Sequence, residues 1–95
     1  MVNDDGTRGQ QQTFDATGQG PFGFTFNMNG ALLTTEQLDG PAGPGLGAAA
    51  GYLAGDDGSL APTSPSVNNG GTAICWFVVS VDGAIGFTTS FFGDV

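Results

Sequence analysis

Nine carboxylates and a single cation, Arg8, make up the charged residues of this 95-residue chain, which has no lysine and no histidine. The acids fall as two adjacent pairs, Asp4-Asp5 and Asp56-Asp57, and as Asp15, Glu36, Asp39, Asp82 and Asp94. Two carboxyl groups set across a cleft could cleave a glycosidic bond, one as acid and the other as base or nucleophile. Adjacent acids on turn-like sequence instead have the pattern of a solvated surface. Carboxylates combined with loop carbonyls also suit calcium, and Asp4, Asp5, Asp56 and Asp57 are the residues for it. Neither pair, however, has the spaced acids of a calcium-binding loop. Ser59, Ser64, Ser66, Ser80 and Ser90 have no histidine or lysine to accept a proton, which a serine nucleophile requires. No glycine run leads into the lysine of a phosphate-binding loop. The residues therefore predict no catalytic group, no cofactor and no metal.

Charge narrows the partners. The formal net charge is −8. Sequence-independent binding to nucleic acid needs several Lys or Arg to displace counterions, and anionic lipid makes the same demand, so neither partner is expected. Cys75, the only cysteine, has no partner for an internal disulfide and reads as a small buried hydrophobe. No stretch approaches the roughly 20 apolar residues that cross a bilayer as a helix. The opening residues, MVNDDGTRGQQQ, lack a basic region followed by an apolar one, so no secretory leader is read there. Tyr52 and Trp76 could stack on sugars, or they could fill a core or a subunit interface.

The elements that would position these residues are β-strands. Phe22, Phe24, Phe26 and Met28 alternate with Gly23, Thr25 and Asn27, the period of a strand with one apolar face, here expected to cover a core. Asn29-Gly30 supplies a turn, and Ala31–Leu38 returns as a strand or forms a short helical turn. Residues 40–47, GPAGPGLG, read as a rigid loop. Residues 48–54, AAAGYLA, suit a buried strand or a short helix. Residues 60–71, LAPTSPSVNNGG, read as a polar loop reaching outwards.

The strongest signal is residues 72–92, which hold the only tryptophan and half of the phenylalanines. Two β-rich segments flank Asp82-Gly83, which predicts a hairpin with a two-residue turn. In that register Val78 meets Phe87, Trp76 meets Thr89 and Ile74 meets Phe91, giving a strongly apolar face expected to be core. Cys75, Phe77 and Val79 form a mixed reverse face. The fold class expected is all-β, a small sandwich or barrel-like domain over residues 14–95. It would have a C-terminal hairpin, long Gly/Pro-rich loops and an extended N-terminal arm over residues 1–13.

Residues 47–54 with Asp56, G-A-A-A-G-Y-L-A-G-D, resemble a stretch in the decoration, or cement, proteins of tailed-phage capsids. Those are small, Gly/Ala/Thr/Pro-rich, mostly β proteins that form trimers and clamp neighbouring major capsid subunits, often through an N-terminal arm. The resemblance covers about a tenth of the chain, and the C-terminal hairpin has no counterpart in it. It implies a non-enzymatic structural subunit on the virion surface, homo-oligomeric with a trimer favoured, whose partner is a major capsid protein. The contact residues expected are Thr7, Arg8, Gln10, Gln11 and Gln12 on the arm, with Tyr52, Trp76 and Phe92. The alternatives are a secreted or surface-displayed module that binds carbohydrate or protein, and a subunit of an extracellular filament.

Overall fold

The computed structural model describes residues 2–40, 43–44 and 46–91. The chain is all-β among these residues, in two antiparallel sheets. The strands are β1 (Gln19–Phe26), β2 (Ala31–Gly40), β3 (Gly43–Pro44), β4 (Leu46–Ala54), β5 (Leu60–Thr72), β6 (Ile74–Val79) and β7 (Gly86–Ser90). The larger sheet runs in the order β1-β2-β4-β5, with the short β3 also paired to β2, and β6 and β7 form a separate pair. The turn at Asn27–Gly30 joins β1 to β2. The Asn27 amide donates to the Ala31 carbonyl at 3.0 Å, and Gly30 adopts φ +77°.

Two segments expected to be loops are built into the sheet. Residues 60–72 form β5, paired along β4 from Leu46↔Thr72 to Ala54↔Leu60. Pro62 and Pro65 suit this place because an edge strand leaves one side of its backbone unpaired, where a missing N–H costs no ladder bond. Its polar side chains conceal the strand from a hydrophobicity reading, because β5 buries little: most of its residues are exposed or half-buried. Within 40–47, Gly43 and Pro44 pair with Gly40 and Asp39, and β4 begins at Leu46. Residues 41, 42 and 45 lie outside the described residues. Both segments left open between strand and helix, 31–38 and 48–54, are strand.

The register sorts the larger sheet into two faces. Phe24 and Phe26 lie beside Thr34 and Leu32, then Ala50 and Tyr52, then Pro62. Thr25, Leu33 and Gly51 share the other face, as do Thr35, Ala49 and Val67. The β6-β7 pair packs on this second face through contacts that admit no larger residue. A Cβ on Gly23 would overlap the Cys75 carbonyl, and one on Gly47 would overlap the Ile74 side chain. The Thr35 hydroxyl accepts the Gly23 N–H at 3.0 Å and lies 3.1 Å from the Cys75 carbonyl, which ties the two sheets together at the crossing.

The interior is accordingly built from small and polar residues. Ala48, Ala50, Tyr52 and Ile74 are the buried hydrophobics, joined by Thr34, Thr35 and Glu36. The expectation that the phenylalanine row covers a core is overturned: Phe22, Phe24 and Phe26 share a face as expected, but all three are more than half exposed. The hairpin is likewise inverted. Its Cys75, Phe77 and Val79 are the partly buried residues, while Trp76, Val78 and Phe87 are exposed. Across the hairpin the Phe77 ring lies over Gly86, where a Cβ would come within 2.7 Å of it.

Val78 does face Phe87, and Phe77 faces Thr88, but a bulge then shifts the register so that Ile74 meets Ser90. A bulge turns the strand, and Ile74 thereby enters the interior while Trp76 stays outside. The connection is also longer than the two residues expected. It spans Val81–Ala84, with Ser80 N–H donating to the Ile85 carbonyl at 2.9 Å and Gly83 N–H to the Ser80 carbonyl at 2.8 Å. The Ser80 hydroxyl favours the longer loop, donating to Asp82 at 2.6 Å and accepting from the Ile85 amide at 3.0 Å.

Candidate interaction surface

The N-terminal segment shapes the first face of the sheet. The Thr17 amide donates to the Tyr52 hydroxyl at 2.8 Å, and Gln12 donates to the Asp57 carbonyl at 2.8 Å. The Gly18 amide and the Thr17 hydroxyl donate to Glu36 Oε1 at 2.7 and 3.0 Å, and the Ser66 hydroxyl donates to Oε2. Glu36 is completely buried, so a carboxylate that the sequence shows only as an isolated acid is the post that fastens this segment to the sheet. Gly18 has to be glycine here, because a Cβ would overlap the carboxylate.

Between this segment and the ridge of Phe22, Phe24 and Phe26 lies an open trough of about 650 Å³. Leu32, Thr34, Tyr52 and Leu60 line it from the sheet, and Gln10, Gln12, Phe14 and Asp15 from the N-terminal segment. At the outer end of the ridge the Phe22 and Trp76 rings lie 5.9 Å apart, tilted by 55°. Phe24 and Phe26 meet edge to face at 6.3 Å. Trp76 is 63 % exposed and Met28 80 %. These features together make a largely apolar surface of aromatic rings that spans both sheets.

The residues expected to make contacts are only partly assembled there. Gln10 and Gln12 line the trough, and Trp76 stands at its outer end. Thr7 and Arg8 lie further out, in a small local loop closed by a Val2↔Arg8 bridge; Thr7 donates to Asp5, and Arg8 donates to Gln11 at 2.7 Å. Tyr52 is buried on the trough floor, where its hydroxyl serves Thr17 rather than a ligand. Phe92 lies outside the described residues. Missed as surface residues were Phe22, Phe24, Phe26 and Met28, because alternation shows that residues share a face without showing whether anything covers it. One signal was available: residues 16–35 hold no charge at all.

The acids on turns are engaged locally. Hydrogen bonds from the Thr7 side chain and backbone hold the Asp5 carboxyl below its ordinary range. Ser59 does the same for Asp57, and the Ser80 hydroxyl with the Ala84 amide does so for Asp82. Among the described residues no three metal-ligating side chains come together. What this surface offers is apolar area, edge-on aromatic rings and one open strand edge. Compared with protein-family models, curated proteins and solved structures, the chain matches none.

Proposed function

We propose that the chain is a non-enzymatic structural subunit that sits on an assembly, of the kind that cements a virion shell by binding between major capsid subunits. The observation that carries this reading is the distribution of apolar residues. The interior is alanine, threonine and glycine with Ile74, Tyr52 and Glu36, while Phe22, Phe24, Phe26, Met28, Trp76, Val78, Ile85 and Phe91 are each more than half exposed. Exposed apolar patches beyond a few hundred Å² mark surfaces that associate. The accessible surface is 6213 Å², about 1,200 Å² more than expected for a folded monomer of this mass. A standard interface buries about 800 Å² per partner. The acidic net charge keeps free subunits soluble before they meet a partner.

The test is co-sedimentation of the purified chain with empty shells assembled from a major capsid protein encoded beside its gene. Saturable binding that raises the melting temperature of the shell is expected. Failure to bind such shells overturns the reading. A second reading, a carbohydrate-binding module, is favoured by one observation: Trp76 is exposed beside Phe22, as a sugar-stacking platform would be. Binding to a glycan array that is lost in Trp76→Ala, by a chain that remains monomeric, would select it.

A further inference from the structure

We propose that β1 is a two-fold dimerisation edge, on which a second copy of this chain adds its own β1 antiparallel, centred on Thr25. β1 and β5 are the two edges of the larger sheet, and they differ. β5 carries Pro62 and Pro65, which lack the N–H that an added strand would need. β1 has no proline after Pro21 and no charged residue. Its proline and its register irregularities all lie before Phe24, so Phe24–Phe26 run in unbroken register without the devices that keep a strand edge from pairing.

The ladder shows which groups are offered. Asn27 N–H donates to the Ala31 carbonyl, and Thr25, Phe24 and Phe26 pair with Leu33, Thr34 and Leu32. Hydrogen-bonded and non-bonded pairs alternate in an antiparallel ladder. Thr25 therefore bonds inward to Leu33, and Phe24 and Phe26 turn their backbone N–H and C=O to the open edge. With the dyad at Thr25, Phe24 of one copy exchanges both bonds with Phe26 of the other, and the reverse pair does the same. The two phenylalanine pairs are then set side by side across the seam, and aromatic cross-strand pairs of this type stabilise sheets.

Charge and area both fit a second copy. Each chain carries −8, but residues 16–35 carry none, so the two β1 edges can meet with the acids held away from the seam. The surface in excess of a monomer of this mass, about 1,200 Å², exceeds the roughly 800 Å² that one partner of a standard interface buries. The prolines on β5 also stop the alternative of β1 pairing with β5 of the next copy, which would propagate as a filament instead of closing.

Sedimentation equilibrium of the whole chain tests this, with an expected mass of about 19 kDa, twice the 9.5 kDa chain. Phe24→Lys with Phe26→Lys places like charges opposite each other at both pairs, and this variant should be monomeric with an unchanged circular dichroism spectrum. Mixing it with a Phe24→Glu, Phe26→Glu chain should restore the dimer as a heterodimer. Val81→Lys, which changes a still more exposed apolar residue off the edge, should remain dimeric. A Thr25→Cys change in a Cys75→Ala background should cross-link two chains under mild oxidation, a readout that does not depend on the lysine variants folding. A monomeric or trimeric native chain overturns the proposal, as does a dimer indifferent to both charge variants. The dimer stands apart from the shell-binding reading: a monomer that binds shells refutes only the dimer, and a dimer that binds none refutes only the shell.

Discussion

Glu36 shows how much of this molecule rests on single polar contacts. The only cationic side chain, Arg8, donates to Gln11, so the buried Glu36 carboxylate is held by neutral donors: the Gly18 amide and the Thr17 and Ser66 hydroxyls. Removing it takes the acceptor from three donors, of which Thr17 is exposed and Gly18 and Ser66 half-buried, and an unsatisfied group costs about 1–3 kcal/mol when fully buried. Glu36→Ala should therefore cost about 1–3 kcal/mol in urea unfolding and release residues 10–18 from the sheet. Glu36→Gln keeps one acceptor oxygen and should cost less. If the two variants are equally and mildly destabilised, Glu36 is not the fastening post. Gly23 makes a steric counterpart. Its Cβ would overlap the Cys75 carbonyl, a backbone atom that can move only by separating the sheets. Gly23→Ala should cost about 1–3 kcal/mol by overpacking, measured by the same unfolding curves. Gly30→Ala, with open space around it but φ +77°, would report backbone strain alone.

At the scale of elements, the turns are fixed by serine, threonine and aspartate. In the β6-β7 connection Asp82 accepts from Ser80 and from the Ala84 amide, which lowers its pKa below the ordinary 3.8. A carboxyl with a folded pKa below its unfolded value stabilises the fold above the unfolded value and loses that contribution as pH falls through the folded one. Asp82→Ala should thus lower the melting temperature at pH 6, and the gap to the parent should close as the pH falls towards 2. A gap independent of pH would show that the hydrogen bonds to Asp82 do not act through its ionised form.

These turns and the aromatic strands were legible in sequence: alternation from Phe22 to Met28 marked a strand, and Asn29-Gly30 and Asp82-Gly83 marked reversals. What could not be read was cover. The strand period says that Trp76 and Val78 share a face. Gly23 and Gly47, whose missing side chains let Cys75 and Ile74 approach the sheet, decide that this face stays outside. β5 was hidden for a related reason: a strand held by backbone pairing at an edge needs no apolar alternation.

Over the whole molecule the same economy produces an elongated body, 42 × 28 × 21 Å, with a radius of gyration of 13.9 Å against about 12.4 Å for a compact domain of this length. Its apolar residues form two adjoining outward faces, the β1 ridge and the outer face of the hairpin with Trp76, Val78, Phe87 and Phe91, which meet where Phe22 packs against Trp76. If two copies join along β1, the hairpin face is left to meet a larger assembly. Trp76 is the only tryptophan, so its fluorescence reports on that face and on its junction with the β1 ridge. It is 63 % exposed, and its side chain packs against Phe22, a contact worth about 0.5–1.5 kcal/mol. Trp76→Ala should therefore cost no more than about 1.5 kcal/mol, well short of the 3–5 kcal/mol typical of a core aromatic. In the free chain acrylamide should quench Trp76 efficiently. Bound to a shell, the indole should be shielded and its emission should shift to shorter wavelength, while Trp76→Ala should fold normally yet bind weakly. Quenching that is unchanged on binding would mean that the shell contacts some other part of the molecule, and the hairpin face would then need a different partner.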